Sequence, residues 1–133
     1  MMPERILTGA TVVVVEDHDL IRSLISEFLR RRGAKVIYCS NAVEALDAVR
    51  QHRPDLVLSD INLPGADGFQ LLQNIRRLDA EIGGNVPVIA MSALGAAVTR
   101  QRALAAGFRS YLGKPFTPAQ LLQAIEAALR PQS

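Results

Sequence analysis

The stretch LVLSDINLPGADG, residues 56–68, decides how the rest of the chain is interpreted. It begins with three apolar residues, Leu56 to Leu58, as a strand does when both faces of a parallel sheet are covered. The run ends at the carboxylate of Asp60, and a Pro-Gly pair at residues 64 and 65 then turns the chain. An acid at the exit of a buried strand either caps the following loop or is held there to react.

Composition predicts a globular chain with one core. Of its 133 residues, 49% are apolar and 21% are charged, and the formal net charge is +2. This length predicts a single domain spanning residues 1–133, with its core at about residues 10–130. A net charge this small argues against binding to DNA or to an anionic membrane.

No targeting signal is visible in the sequence. Its start, MMPERILTGA, has no apolar signal-peptide core, and no stretch approaches transmembrane length. The single cysteine, Cys39, excludes an internal disulfide and is compatible with a reducing compartment. We therefore expect a cytoplasmic protein that does not contact a membrane. The chain ends at RPQS directly after its last predicted helix, so we also expect no attached output domain.

Five β-rich runs alternate with five helical patterns along the chain. Strands are predicted at residues 11–15, 35–39, 55–59, 86–91 and 110–113. The first helix is predicted from an apolar stripe formed by Leu20, Ile21, Leu24, Ile25, Phe28 and Leu29. The fourth helix, at about residues 96–106, is Ala-rich and weak, whereas Thr117 and Gln120 open the fifth with a capping box. This alternation predicts a parallel sheet with helices on both faces.

Polar side chains gather where the predicted strands end. In chain order they are Glu16 and Asp17, Asp60, Ser92, and Lys114. Ligands of such sheets bind outside the carboxyl ends of the strands, so these groups share one predicted site. Carboxylates brought together repel unless a cation joins them, and oxygen ligands without a His or Cys cluster favour Mg²⁺. An ionised carboxylate here could become an aspartyl-phosphate, with Lys114 and Ser92 contacting the phosphoryl oxygens.

The chain resembles the receiver domain of two-component response regulators over nearly its whole length. The matching segments are VVVVEDHD, DLVLSDINLPGADGFQLL, PVIAMSA and GFRSYLGKPF. The resemblance implies a flavodoxin-like fold, α/β, with five parallel strands in the order 2-1-3-4-5. It implies a phosphoacceptor switch, served by a histidine kinase or a histidine phosphotransfer protein, that catalyses only its own phosphorylation and dephosphorylation. Both a stand-alone regulator and the receiver of a hybrid kinase fit this resemblance.

The resemblance also assigns roles to the acids at the sheet edge. It implies that Asp60 is the phosphoacceptor. Asp17 and Asp60 would bind Mg²⁺ directly, Glu16 would assist through a water, and Asn62 would contribute its backbone carbonyl. These four residues form the metal site that the family pattern predicts for this chain.

The same resemblance predicts how the switch works. Ser92 and Lys114 would hold the phosphoryl oxygens, and Tyr111 would be the aromatic switch that moves with Ser92. The Lys114–Pro115 peptide bond is expected to be cis, which would direct the lysine into the site. Leu94, two residues after Ser92, is apolar and is predicted to shield the phosphoryl group from water.

The predicted output surface is the face made by helix four, strand five and helix five. It carries Arg100, Arg109, Tyr111 and Gln120. The sequence FRSY lacks the acidic pair that commonly precedes the switch aromatic in DNA-binding relatives. We therefore expect a monomer or weak dimer that binds a downstream target protein and no DNA.

Other interpretations stay open from the sequence. Asp60 could cap a turn, and the acids after strand one could cap the first helix, although Asp19 is the better candidate for that cap. An enzyme alternative is a phosphatase or phosphotransferase with an aspartyl nucleophile and a second acid two residues later. Position 62 is Asn, which argues against it. A third alternative is a receiver-fold docking module that is never phosphorylated.

Overall fold

A computed structural model describes residues 6–63, 65, 67–93 and 100–130 of the chain. Strands and helices alternate along it, as the sequence predicts. The strands are β1 (Thr11–Val15), β2 (Lys35–Cys39), β3 (Leu56–Asp60), β4 (Val88–Ser92) and β5 (Ser110–Gly113). The helices are α1 (Asp19–Arg31), α2 (Ala42–His52), α3 (Gly68–Arg76), α4 (Arg100–Ala106) and α5 (Pro118–Leu129). A short 3₁₀ turn at Ala80–Ile82 precedes β4.

The five strands form one parallel sheet in the order β2-β1-β3-β4-β5, which confirms the predicted topology. Strands β3 and β4 differ from the prediction at both ends, since they span residues 56–60 and 88–92 rather than 55–59 and 86–91. Strand β3 runs one residue further, so Asp60 is its last residue and pairs with Met91. Strand β4 begins at Val88 because Pro87 has no N–H to donate to the sheet. All strands point the same way, so their carboxyl ends meet at one edge.

Side chains alternate across the sheet and fill two core layers. One layer packs under α2, α3 and α4, and it includes Val13, Val15, Val57, Val88, Ala90, Leu72 and Phe108. The other packs under α1 and α5, and it includes Val12, Val14, Leu58, Ile89, Met91, Leu29 and Ile125. Burial on both faces explains why β1, β3 and β4 are almost continuously apolar.

Side-chain caps determine where three of the helices begin. Asn41, Asp67 and Thr117 each accept a hydrogen bond from a backbone N–H in the first turn of α2, α3 and α5. The predicted capping box of α5 is confirmed. Gln120 N donates to Thr117 Oγ1 at 3.1 Å, and Thr117 N donates to Gln120 Oε1 at 2.9 Å. These contacts set the direction in which α5 leaves the loop after β5.

The prediction that Asp19 caps α1 was wrong. The cap is His18, whose backbone is extended and whose Nδ1 accepts from Ile21 N at 3.5 Å. Asp19 already has helical backbone as the first residue of α1, so it cannot take the extended position that a cap requires. Its carboxylate instead accepts from Arg22 Nη2 at 2.9 Å.

Two helices differ from their sequence patterns. The apolar stripe of α1 is split: Ile25 and Leu29 are buried, whereas Leu20 and Leu24 are 62% and 61% exposed. In α4 the described part begins at Arg100, so the predicted start near residue 96 lies outside the described residues, as does Leu94. Of the helices in the described segments, none has the length and apolar character needed to span a bilayer.

Candidate functional site

Three acids meet at the carboxyl edge of the sheet. Glu16 and Asp17 follow β1, and Asp60 ends β3, the strand next to β1. One carboxylate oxygen from each lies within 4.8 Å of the other two. Glu16 and Asp60 are 1% and 6% exposed, whereas Asp17 is exposed. Two buried carboxylates this close together, with a third at the rim, repel one another unless positive charge lies beside them.

Lys114 supplies part of that charge. Its Nζ lies 2.6 Å from Glu16 Oε1 and 2.9 Å from Asp60 Oδ2, and its backbone N–H donates to the Ser92 carbonyl at 2.7 Å. The Lys114–Pro115 bond is cis, as expected. Burial alone lowers the pKa of Lys114, but the hydrogen bonds and charges of Glu16 and Asp60 outweigh it and raise the pKa above its ordinary value. The ammonium therefore stays charged beside the acids.

The backbone around Asp60 holds its carboxylate in place. Asn62 N donates to Asp60 Oδ1 at 3.0 Å, so each carboxylate oxygen has one hydrogen-bond donor. The start of α3 packs directly on this segment, because Gly68 N donates to the Ile61 carbonyl at 2.6 Å. A Cβ atom at Gly68 would lie 2.8 Å from the Asp60 carbonyl oxygen and from Ile61 Cα. Glycine is therefore required for this close approach.

Contacts of Glu16 include two that the sequence analysis missed. Besides its ion pair with Lys114, its Oε2 accepts from His18 N at 3.1 Å. Its backbone carbonyl accepts from Arg22 Nη1 at 3.1 Å. The direct ion pair with Lys114 joins residues 98 positions apart, so no local sequence pattern predicts it. One sequence feature could have indicated a specific contact of Arg22. It is a cation near the N-terminus of a helix, where it opposes the helix dipole.

Ser92 and Tyr111 lie on β4 and β5. Ser92 is fully buried, and its Oγ has no hydrogen-bond partner among the described residues. A buried hydroxyl without a partner is uncommon in native structures, and within the described residues the Oγ of Ser26 on α1 is in the same state. Tyr111 is half-buried, packs against the α2–α3–α4 layer, and has the Arg100 guanidinium carbon 5.7 Å from its ring centroid.

The donors of the acidic cluster suit a hard divalent cation. They are carboxylate oxygens, and within the described ranges the cluster contains no His or Cys. Three carboxylates and one ammonium also leave a net negative charge, which a divalent ion would offset. The residues present therefore fit Mg²⁺, as the sequence predicts.

An apolar groove of about 570 Å³ borders this site. It runs between α1, the segment after β5 and α5. Its lining includes Ile21, Leu24, Phe28, Lys114, Phe116 and Leu121. Lys114 belongs to both features, so the groove reaches the residue that forms the ion pair with Asp60.

Comparison with known proteins identifies the family. Residues 12–126 match the response regulator receiver domain. The chain is 40% identical over 119 residues to the transcriptional activator protein PfeR of Pseudomonas aeruginosa, covering 90% of this chain but 37% of PfeR. It is 32% identical over 119 residues to the polar-differentiation response regulator DivK of Brucella anthropi, covering 90% of this chain and 95% of DivK.

A solved structure agrees with the fold. The receiver domain of sensor histidine kinase PA1611 from Pseudomonas aeruginosa PAO1 superposes with a TM-score of 0.81 at 31% identity, covering 92% of this chain and 98% of that one. That receiver has a magnesium ion coordinated in its active site cleft. This protein belongs to the response regulator receiver domains of two-component signalling.

Proposed function

We propose that this receiver takes a phosphoryl group from a phosphohistidine onto Asp60, with Mg²⁺, and signals by changing shape. The observation that carries the proposal is the setting of the Asp60 carboxylate. It is nearly buried at a strand end, belongs to a cluster of three acids, and lies 2.9 Å from the Lys114 ammonium. A turn-capping aspartate needs neither the other acids nor the buried cation, so this setting favours the reactive role.

The proposed transfer needs few protein groups. An Asp60 carboxylate oxygen attacks the phosphorus of phosphohistidine, and the P–N bond breaks with its electron pair going to the imidazole nitrogen. The new P–O bond makes an acyl phosphate on Asp60. The Lys114 ammonium is close enough to Asp60 to contact the phosphoryl oxygens and balance their negative charge after the transfer. Mg²⁺, when bound, would supply the second cation opposite those oxygens.

The proposed ligand roles within the acidic cluster rest on the resemblance to the family. Both carboxylate oxygens of Glu16 accept hydrogen bonds, from Lys114 and from His18 N. Both oxygens of Asp60 accept hydrogen bonds as well, so the family pattern is what distinguishes the roles. It makes Asp17 and Asp60 direct ligands, gives Glu16 a water-mediated role, and adds the backbone carbonyl of Asn62. The exposed position of Asp17 suits an ion that keeps part of its hydration shell.

The orphan hydroxyl of Ser92 supports its assignment as a phosphoryl ligand. Ser92 is fully buried and its Oγ lacks a partner among the described residues, so a new acceptor there would satisfy it. We propose that Tyr111 follows Ser92 and alters the face that also carries Arg100 and Gln120. A downstream protein would bind that face.

The groove between α1 and α5 is the proposed docking site of the phosphodonor, a histidine kinase or histidine phosphotransfer protein. Its lining is apolar and includes the exposed Leu24, and Leu20 on the same helix is also exposed. The groove is continuous with Lys114, so a protein seated there could present a histidine to Asp60. Large exposed apolar surface beside a reactive group is typical of a protein-binding site.

The test is transfer to Asp60 itself. Incubation with Mg²⁺ and acetyl phosphate, or with a phosphorylated histidine donor, should add one base-labile phosphoryl group, detected by intact mass spectrometry. Asp60→Asn should lose the label, whereas the control Asp67→Asn should keep it, because Asn preserves the cap of α3. Full labelling of Asp60→Asn would overturn the assignment.

A further inference from the structure

Arg22, on α1, ties this helix to the turn after β1. Its Nη1 donates to the backbone carbonyl of Glu16 at 3.1 Å, and its Nη2 donates to Asp19 Oδ1 at 2.9 Å. Its guanidinium carbon lies 5.6 Å from the centroid of the Tyr38 ring on β2. Only 15% of the Arg22 side chain is exposed. A long charged side chain is therefore held against the protein rather than in solvent.

The place of Arg22 in α1 is electrostatically unfavourable. It is the fourth residue of the helix, at the end of the first turn, where the helix dipole favours anions over cations. The ion pair with Asp19 does not compensate for this position, because the Asp19 side chain is 88% exposed and exposed ion pairs contribute little to stability. The contact with the Glu16 carbonyl is the one that links Arg22 to the acidic cluster.

That carbonyl belongs to the peptide group between Glu16 and Asp17. The two acids of the cluster that follow β1 leave the backbone on either side of this planar group. The Glu16 side chain is also held by Lys114 and by His18 N. Asp17 is exposed, so the direction of its carboxylate depends more heavily on its backbone.

We propose that Arg22 is a positioning residue for the cation site, holding the Glu16–Asp17 peptide so that both carboxylates face Asp60. This inference rests on the proposed function, because it concerns the Mg²⁺ that the cluster would bind. Residues that orient metal ligands without touching the metal typically change its affinity about 10- to 100-fold.

A purely electrostatic role for Arg22 would have the opposite effect. Its guanidinium is a positive charge close to the acidic cluster, so removing that charge should strengthen the binding of a cation. Removing a positioning contact should instead weaken binding. The direction of the change in Mg²⁺ affinity therefore separates the two roles, and a loss of stability alone would not.

The experiment compares Mg²⁺ dissociation constants of the full chain and three variants, from backbone amide shifts in NMR titrations with MgCl₂. The variants are Arg22→Gln, Arg22→Lys and the control Arg30→Gln. Arg30 is a matched control because it has the same charge, lies on the same helix, and has its guanidinium carbon 5.5 Å from the same Tyr38 ring centroid. It lies about two helical turns further along α1.

We expect Arg22→Gln to raise the dissociation constant about tenfold. Arg22→Lys should raise it roughly threefold, since an ammonium keeps the charge but lacks the planar fork that reaches Glu16 and Asp19 together. Arg30→Gln should change it less than about twofold. Urea unfolding in EDTA establishes that each variant is folded before titration.

Each outcome decides the proposal. Unchanged or tighter Mg²⁺ binding by the Arg22 variants, with normal binding by the parent, would overturn the positioning role and leave the proposed function standing. A parent that binds no Mg²⁺, or binds it equally well after Asp17→Asn, would overturn both. If Arg22→Gln does not fold, the value for Arg22→Lys decides, because lysine keeps the charge and much of the packing.

Discussion

Replacing Lys114 with Met should destabilise the protein strongly in the absence of metal and less in its presence. The Lys114 ammonium contacts Glu16 and Asp60, and the three side chains are 19%, 2% and 8% exposed, respectively. Removing one member of a buried ion pair costs about 3–5 kcal/mol, because a charge is left without a partner. Relaxation of the site and entry of water should keep the loss near the lower end of this range. We therefore expect the unfolding free energy to fall by about 3 kcal/mol at neutral pH.

Metal should recover part of this loss. The ammonium repels a bound cation, so its removal should tighten Mg²⁺ binding about tenfold, which corresponds to about 1.4 kcal/mol. Saturating MgCl₂ should then reduce the loss of unfolding free energy caused by Lys114→Met by about half. The assay is urea unfolding followed by far-UV circular dichroism, in EDTA and in MgCl₂, since the chain has no Trp to report by fluorescence.

The other lysine of the chain provides the control. Lys35 begins β2 and is exposed, so Lys35→Met should change stability by less than about 0.5 kcal/mol. The pH dependence supplies a second check. The pKa of Lys114 is raised in the folded state, so its contribution is fully present below the unfolded value of 10.5 and is lost as pH rises through the folded value. If Lys114→Met loses no more unfolding free energy in EDTA than Lys35→Met does, the reasoning is refuted.

Three further predictions follow from the site. Asp17→Asn should weaken Mg²⁺ binding about tenfold or more while the fold survives, and an unchanged calorimetric titration would show that this acid is not a ligand. Gly68→Ala should lower the unfolding free energy by about 1–3 kcal/mol, because its Cβ would lie 2.8 Å from the Asp60 carbonyl oxygen; wild-type urea stability would contradict that close approach. Hydrogen exchange with and without beryllofluoride, a phosphoryl mimic, should change most between Ser92 and Tyr111. A response confined to the loop after Asp60 would argue against the proposed switch.

The fold was largely predictable because local and global signals agree. The predicted limits of β1, β2 and β5 are those observed, and the order of the five strands is confirmed. The burial of α1 was mispredicted because its apolar spacing is ambiguous. Helical periodicity places Leu20 and Leu24 beside Ile25 and Leu29, but it cannot tell which edge of a wide apolar stripe faces the core.

The site was predictable as a set of residues and less so as a set of contacts. Parallel topology requires that Glu16, Asp60 and Lys114 reach one edge, wherever they stand in the chain. Their hydrogen-bond pairing depends on side-chain directions that no sequence pattern encodes. The cap at His18 and the contact from Arg22 to a backbone carbonyl were missed for the same reason, since both depend on the path of the turn after β1.

The buried hydroxyl of Ser92 bears on the balance between the resting and the signalling form. A buried polar group without a partner costs about 1–3 kcal/mol, and the Ser92 hydroxyl has none among the described residues. Under the proposed function, a phosphoryl oxygen near Ser92 removes the cost only in the phosphorylated domain. A free-energy difference of this size corresponds to about a 5- to 150-fold change in an equilibrium constant. Forming this one hydrogen bond in the phosphorylated domain would thus shift the equilibrium toward the signalling form before any partner protein has bound.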